Sequence, residues 1–111
     1  MAWTVETLNE IVDAELNALP ADMRARFVRI SKLIEQIGLE QVREPHVKHI
    51  EGPLWEMRLK GRGGISRAIY VAGQGERVVV VRVFVKKAEQ TPRREIELAL
   101  VRAKLVRRGK S

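Results

Sequence analysis

The chain has no cysteine among its 111 residues, which excludes disulfides and thiolate metal sites and fits a reducing compartment. Its only histidines are His46 and His49. They lie on a proline-interrupted stretch with no nearby Asp, and His-x-x-His without further ligands is a weak metal signal. No metal and no cofactor is therefore expected. No apolar run approaches the roughly 20 residues needed to cross a bilayer. The opening residues Met1 to Glu6 lack a basic segment followed by an apolar one, so neither a secretion signal nor a membrane partner is expected, and the cytoplasm is the expected location. Gly61-Arg62-Gly63-Gly64 lacks the Lys-Ser/Thr ending of a nucleotide-binding loop and reads as a turn. Ser31, Ser66 and Ser111 have no general base near them in sequence, which leaves a serine hydrolase unsupported.

Charge is present in quantity and unevenly placed. Residues 1–42 hold four Lys/Arg and seven Asp/Glu, a balance of −3, whereas residues 43–111 hold seventeen and seven, a balance of +10. A positive field concentrated on one part of a small domain attracts polyanions and makes binding salt-sensitive. The hydrophobic fraction of 45% excludes a wholly disordered chain. One domain spanning 1–111 is expected from the length.

Hydrophobic spacing orders the elements. Trp3 to Thr7 alternates weakly and reads as a short strand. Leu8, Ile11, Val12, Leu16 and Leu19 have helical spacing up to Pro20. Met23, Phe27, Ile30, Ile34 and Ile37 form the stripe of a second helix, with Arg24, Arg26, Lys32 and Glu35 off it and Gly38 as its stop. Residues 39–53 read as a connection. Leu54–Lys60 alternates, with Trp55, Met57 and Leu59 on one face and Glu56, Arg58 and Lys60 on the other. Ile65–Ala72 is a second strand, and Val78 to Val81 begins a third whose two faces are both covered. Short Gly-rich links imply antiparallel pairing. Thr91 as N-cap and Pro92 as first residue open a final helix, with Ile96, Ala99, Leu100, Ala103 and Val106 inward and Arg107, Arg108 and Lys110 at its C-terminal end. The fold class is thus α+β: a helical hairpin, an antiparallel sheet and a C-terminal helix.

The strands carry the candidate chemistry. Arg58, Arg67 and Arg82 each interrupt a strand, and Lys86-Lys87 ends the last one. A charge inside a strand is costly unless it reaches water or a partner. One such arginine reads as a snorkelling or ion-paired side chain, but cations from three adjacent strands read as a patch for RNA phosphates. There a ribose 2′-OH, once deprotonated, attacks its own 3′ phosphate while guanidinium groups stabilise the developing charge. A lysine crowded by cations can act as base. Lys48, Lys86 and Lys87 are candidates, with His49 as an alternative acid or base. Trp55 reads as core, and Tyr70 as a residue able to stack a base. Arg67→Ala is expected to reduce cleavage more than stability.

Leu54-Trp55-Glu56-Met57-Arg58-Leu59-Lys60 and Gly64-Ile65-Ser66-Arg67-Ala68-Ile69-Tyr70 resemble the middle strands of RelE/HigB-type toxins. Val83-Phe84-Val85-Lys86-Lys87, followed by Thr91 to Ala99, is similar to the phage-derived, HigB-like branch of the RelE/ParE superfamily. The resemblance implies a toxin of a type II toxin–antitoxin pair that cuts messenger RNA on the ribosome. It implies a small antitoxin as partner, helix-turn-helix and HigA-like in that branch. By position it makes Arg58, Arg67, Lys86 and Lys87 catalytic candidates beside Lys48 and His49. Lys60, Arg62, Tyr70, Arg82, Arg93 and Arg94 are the RNA-binding candidates. RelE places a functional tyrosine in its C-terminal segment, whereas this chain has none after Tyr70, so that role is absent here or filled by another group. Two alternatives accompany this reading: a ParE-like, non-nuclease toxin that binds DNA gyrase, and an inactive RNA-binding relative.

Overall fold

The computed structural model describes residues 2–87 and 90–109, with the side chains of the last helix through Val106. Arg107, Arg108 and Lys110, expected to favour the helix dipole, lie outside the described side chains. Strand β1 (Thr4–Thr7) leads into α1 (Glu10–Asn17) and α2 (Ala21–Ile37). A single 3-10 turn follows, and then β2 (Val47–Glu51), β3 (Leu54–Gly61), β4 (Gly64–Gly73), β5 (Arg77–Lys86) and α3 (Arg93–Gly109). The sheet order is β1-β5-β4-β3-β2. The pairs from β2 to β5 are antiparallel, as the short links require. β1 instead runs parallel to β5, because the helical hairpin and the rest of the sheet separate the two in sequence.

Each local signal has a visible cause. Asn9 caps α1, its side chain accepting from the Val12 N–H at 3.1 Å. Gly38 stops α2 with φ 92°, a conformation that favours glycine, and its N–H donates to the Ile34 carbonyl at 2.8 Å. At α3 the expected cap moves by one residue. The Pro92 carbonyl accepts from the N–H groups of Glu95 and Ile96 at 3.0 and 3.2 Å. The Thr91 hydroxyl is committed elsewhere, donating to Glu56 Oε1 at 2.8 Å. β2 falls inside the expected connection. It is a short edge strand with a register shift between His49 and Glu51, so its side chains lack the clean alternation of β3.

Two cores flank the sheet. On one face α1 and α2 place Val12, Phe27 and Ile30 against Met57, Leu59, Ala68, Val78 and Val80. On the other, α3 places Ile96, Ala99 and Ala103 over Leu54, Ile69, Val71, Val79 and Val81. The valine run of β5 is therefore buried on both sides, as its composition demands. Trp55 departs from expectation: it is 40% exposed and sits at the sheet margin, its ring 4.9 Å from that of His49.

An ion-pair network holds α1, β5 and α3 together beyond the end of β1. Glu15 accepts the Val83 N–H at 3.0 Å and pairs with Arg82 at 2.8 Å and Arg102 at 2.9 Å. Arg102 also donates to the Val81 carbonyl at 2.8 Å, so side chains complete the backbone bonds of an otherwise unpaired strand edge. Glu15→Ala removes the shared carboxylate and is expected to cost about 2 kcal/mol, a partly screened version of breaking a buried pair. A urea midpoint equal to that of the parent would show the network to be dispensable.

Candidate nucleic-acid interface

The register of the sheet assembles the strand cations. Arg58 lies directly opposite Arg67, and Arg67 directly opposite Phe84. One step along, Ile65 faces Lys60 on β3 and Lys86 on β5. Lys48 faces Glu56 across β2 and β3. Directly opposed residues project to the same side of a sheet, and this is the side that α3 covers only in part. The uncovered remainder is a cleft of about 520 Å³ lined by Lys48, Arg58, Gly64, Ile65, Arg67, Lys86 and Lys87. Four adjacent strands thus bring cations to one place, and no carboxylate lines the cleft wall.

Beneath it sits one acid. Glu56 is buried and forms an ion pair with Arg67, itself only 4% exposed. The second Glu56 oxygen takes the Thr91 hydroxyl, which ties the entry of α3 to the floor of the cleft. Burial pushes the Arg67 guanidinium below its ordinary pKa; the Glu56 charge opposes that and Arg58 adds to it. The Arg67 Nε–H is buried and has no acceptor among the described residues. A buried donor without a partner is costly, as are two arginines directly opposed across strands. An anion seated in the cleft would relieve the opposition of the two charges. Lys86 is lowered below the ordinary lysine value, first by burial and then by Arg67, Arg58 and Lys48.

Not all expected residues gather there. Arg82 is on the same side of the sheet but under α3, where Glu95 binds it at 2.6 and 3.2 Å and Glu15 at 2.8 Å. Tyr70 is 1% exposed, in the core on the α2 side, and burial raises its phenol pKa further. Its expected stacking on a base is therefore corrected: the ring faces away from the cations. His49 also points to that opposite side, its Nε2 2.9 Å from the Gly52 carbonyl. Arg93 is exposed and pairs with Glu51 at 2.8 Å and Glu97 at 3.4 Å. Arg94 is 86% exposed and 3.9 Å from Glu95. Lys60 borders a neighbouring cleft with Arg58, and Arg62 occupies the β3–β4 turn, its N–H donating to Asp22 at 2.7 Å. Glu56 and Thr91 were not anticipated. The one signal for Glu56 was its parity with Arg58 on β3.

A family profile described as phage-derived protein Gp49-like matches residues 14–104. The chain belongs to this Gp49-like family, a RelE/HigB-type toxin family. Two solved structures share the fold of the Gp49-like chain. RelE in the archaeal RelE–RelB complex from Pyrococcus horikoshii OT3 has a TM-score of 0.59 at 22% identity, covering 77% of this chain and 96% of that one. A mutant E. coli toxin RelE in the free state has a TM-score of 0.63 at 17% identity, covering 92% and 98%. Among curated proteins no match is found. The expected α+β architecture with a C-terminal helix is that of the RelE fold. No described helix of this Gp49-like protein is long and apolar enough to cross a membrane.

Proposed function

We propose that this Gp49-like protein is the toxin of a type II toxin–antitoxin pair, a cytoplasmic endoribonuclease that cuts messenger RNA on the ribosome. The observation that carries this reading is the convergence of Lys48, Arg58, Arg67 and Lys86 from four strands on one carboxylate-free cleft. A phosphodiester seated there meets the two opposed guanidinium groups that line the cleft. In the step itself the 2′-oxygen loses its proton to the neutral amine of Lys86 and bonds to the adjacent phosphorus. The 5′-oxygen leaves and takes a proton from Lys48 or Lys87. Arg58 and Arg67 hold the charge that accumulates on the equatorial oxygens. A wall of cations repels a divalent ion, so the reaction is proposed as metal-independent. The archaeal relative was solved as a RelE–RelB complex, which supports a small antitoxin partner. A helix-turn-helix, HigA-like antitoxin is the form proposed here.

Lys86 makes the mechanism testable by pH. Its neutral form is the base, and its lowered pKa means that cleavage should rise with pH and level off below the ordinary lysine value of about 10.4. Lys86→Arg keeps the charge but should abolish that rising limb. The same pH profile in both proteins would remove Lys86 as the base.

The function as a whole is tested by controlled expression with and without a co-expressed antitoxin, mapping messenger RNA ends. Growth arrest with new cuts at fixed codon positions, absent for Arg58→Ala, is the expected result. Arrest with intact messages would overturn the nuclease reading in favour of a gyrase-type binder, and no arrest would favour an inactive relative.

A further inference from the structure

The cation cleft does not end at the sheet. It shares Arg58 and Ile65 with a smaller cleft that adds Arg26, His46 and Lys60. That cleft shares Arg26 and His46 with a third, on the outer side of α2, which adds Arg29 and Lys32. No Asp or Glu lines any of the three. Arg26, Arg29, Lys32 and Lys60 have no ion pair among the described residues.

This surface is the reverse of what residues 1–42 advertise with their balance of −3. The structure shows where several of those acids go. Glu6 pairs with Arg77, Glu15 with Arg82 and Arg102, and Asp13 accepts from Thr7. Asp22 accepts the Arg62 N–H. The inward stripe of Met23, Phe27, Ile30 and Ile34 turns Arg26, Arg29 and Lys32 outward. Spaced three residues apart, they span about 9 Å of helix rise. Uncompensated cations side by side repel one another, and a polyanion is the partner that relieves them while releasing counterions.

We infer that the outer side of α2 is a second RNA-backbone site, continuous with the cleft, for phosphodiesters beyond those at the scissile bond. The inference rests on the RNA reading above. Its ligand chemistry is the phosphodiester backbone, supplied either by the same strand running on or by an adjoining folded RNA.

Anisotropy titrations over a salt series test it, using non-cleavable 2′-O-methyl RNAs: a hexamer, a 20-nucleotide single strand, and a hairpin with a hexamer tail. The variant is Arg26→Gln/Arg29→Gln/Lys32→Gln, which touches no ion pair among the described residues. For at least one longer RNA it should lose about 2 units of salt slope and on the order of 100-fold in affinity at 0.1 M salt, with the hexamer unaffected. A loss on the 20-mer identifies a strand running on, and a loss on the hairpin alone identifies folded RNA. Wild-type affinity and slope on both longer RNAs would overturn the α2 site; if Arg58→Gln still weakens all three, the RNA reading survives. Salt-independent or absent binding by the parent protein would overturn the RNA reading and the α2 site together.

Discussion

Arg67→Ala should destabilise the protein by about 3–5 kcal/mol, the usual consequence of stranding one member of a buried ion pair. Both partners are nearly inaccessible, with side-chain exposures of 5% for Arg67 and 4% for Glu56. The truncation leaves Glu56 with the Thr91 hydroxyl as its remaining described partner. For a domain of this size the loss should lower Tm by well over 10 °C. The sequence-based expectation, that cleavage would suffer more than stability, is reversed because the pair is inside the protein. Equilibrium urea unfolding gives the number. A change below about 1 kcal/mol would mean that water or another group satisfies Glu56. The double variant Glu56→Leu/Arg67→Leu separates charge from packing. Replacing both partners by apolar groups of similar size is commonly near neutral, so it should regain most of the lost stability while remaining inactive.

Arg58→Ala should do the opposite. Arg58 is half-buried, has no ion pair among the described residues and faces Arg67 directly. Removing it relieves a like-charge opposition, so Tm should hold or rise slightly. Cleavage should fall by about 10²–10³, the usual cost of one fixed donor to a developing anionic charge. Arg58→Lys should recover part of the rate, since it restores charge but not the planar fork. Comparing kcat/KM on ribosome-bound message with the melting temperature of each variant decides it. Undiminished cleavage by folded Arg58→Ala would remove the residue from the chemistry.

These two arginines look alike in the sequence, each a cation within a strand. Their difference comes from neighbours that the sequence places far apart: Glu56 is 11 residues from Arg67 and 35 from Thr91. Local patterning found β3, β4 and β5 because their alternation and Gly-rich turns are short-range signals. It passed over β2, whose pairing with β3 supplies what its own side chains do not show. Tyr70 lies three residues from Arg67 on the same strand, so alternation alone already turns it to the opposite face from that cation. Parity assigns two faces but cannot say which face is covered.

The sequence by itself determined the α+β class, the three helices, every strand but β2, the two-sided burial of the valine strand and the presence of cations in three neighbouring strands. These follow from periodicity, turn chemistry and charge, which act over a few residues. The tertiary structure decided which cations line the cleft. Register brought Lys48, Arg58, Arg67 and Lys86 together, the placement of α3 withdrew Arg82 into an ion-pair network, and internal pairing of acids left the α2 cations uncovered. Ion pairing and burial depend on distances in space between residues remote along the chain, and only the packed fold fixes those distances.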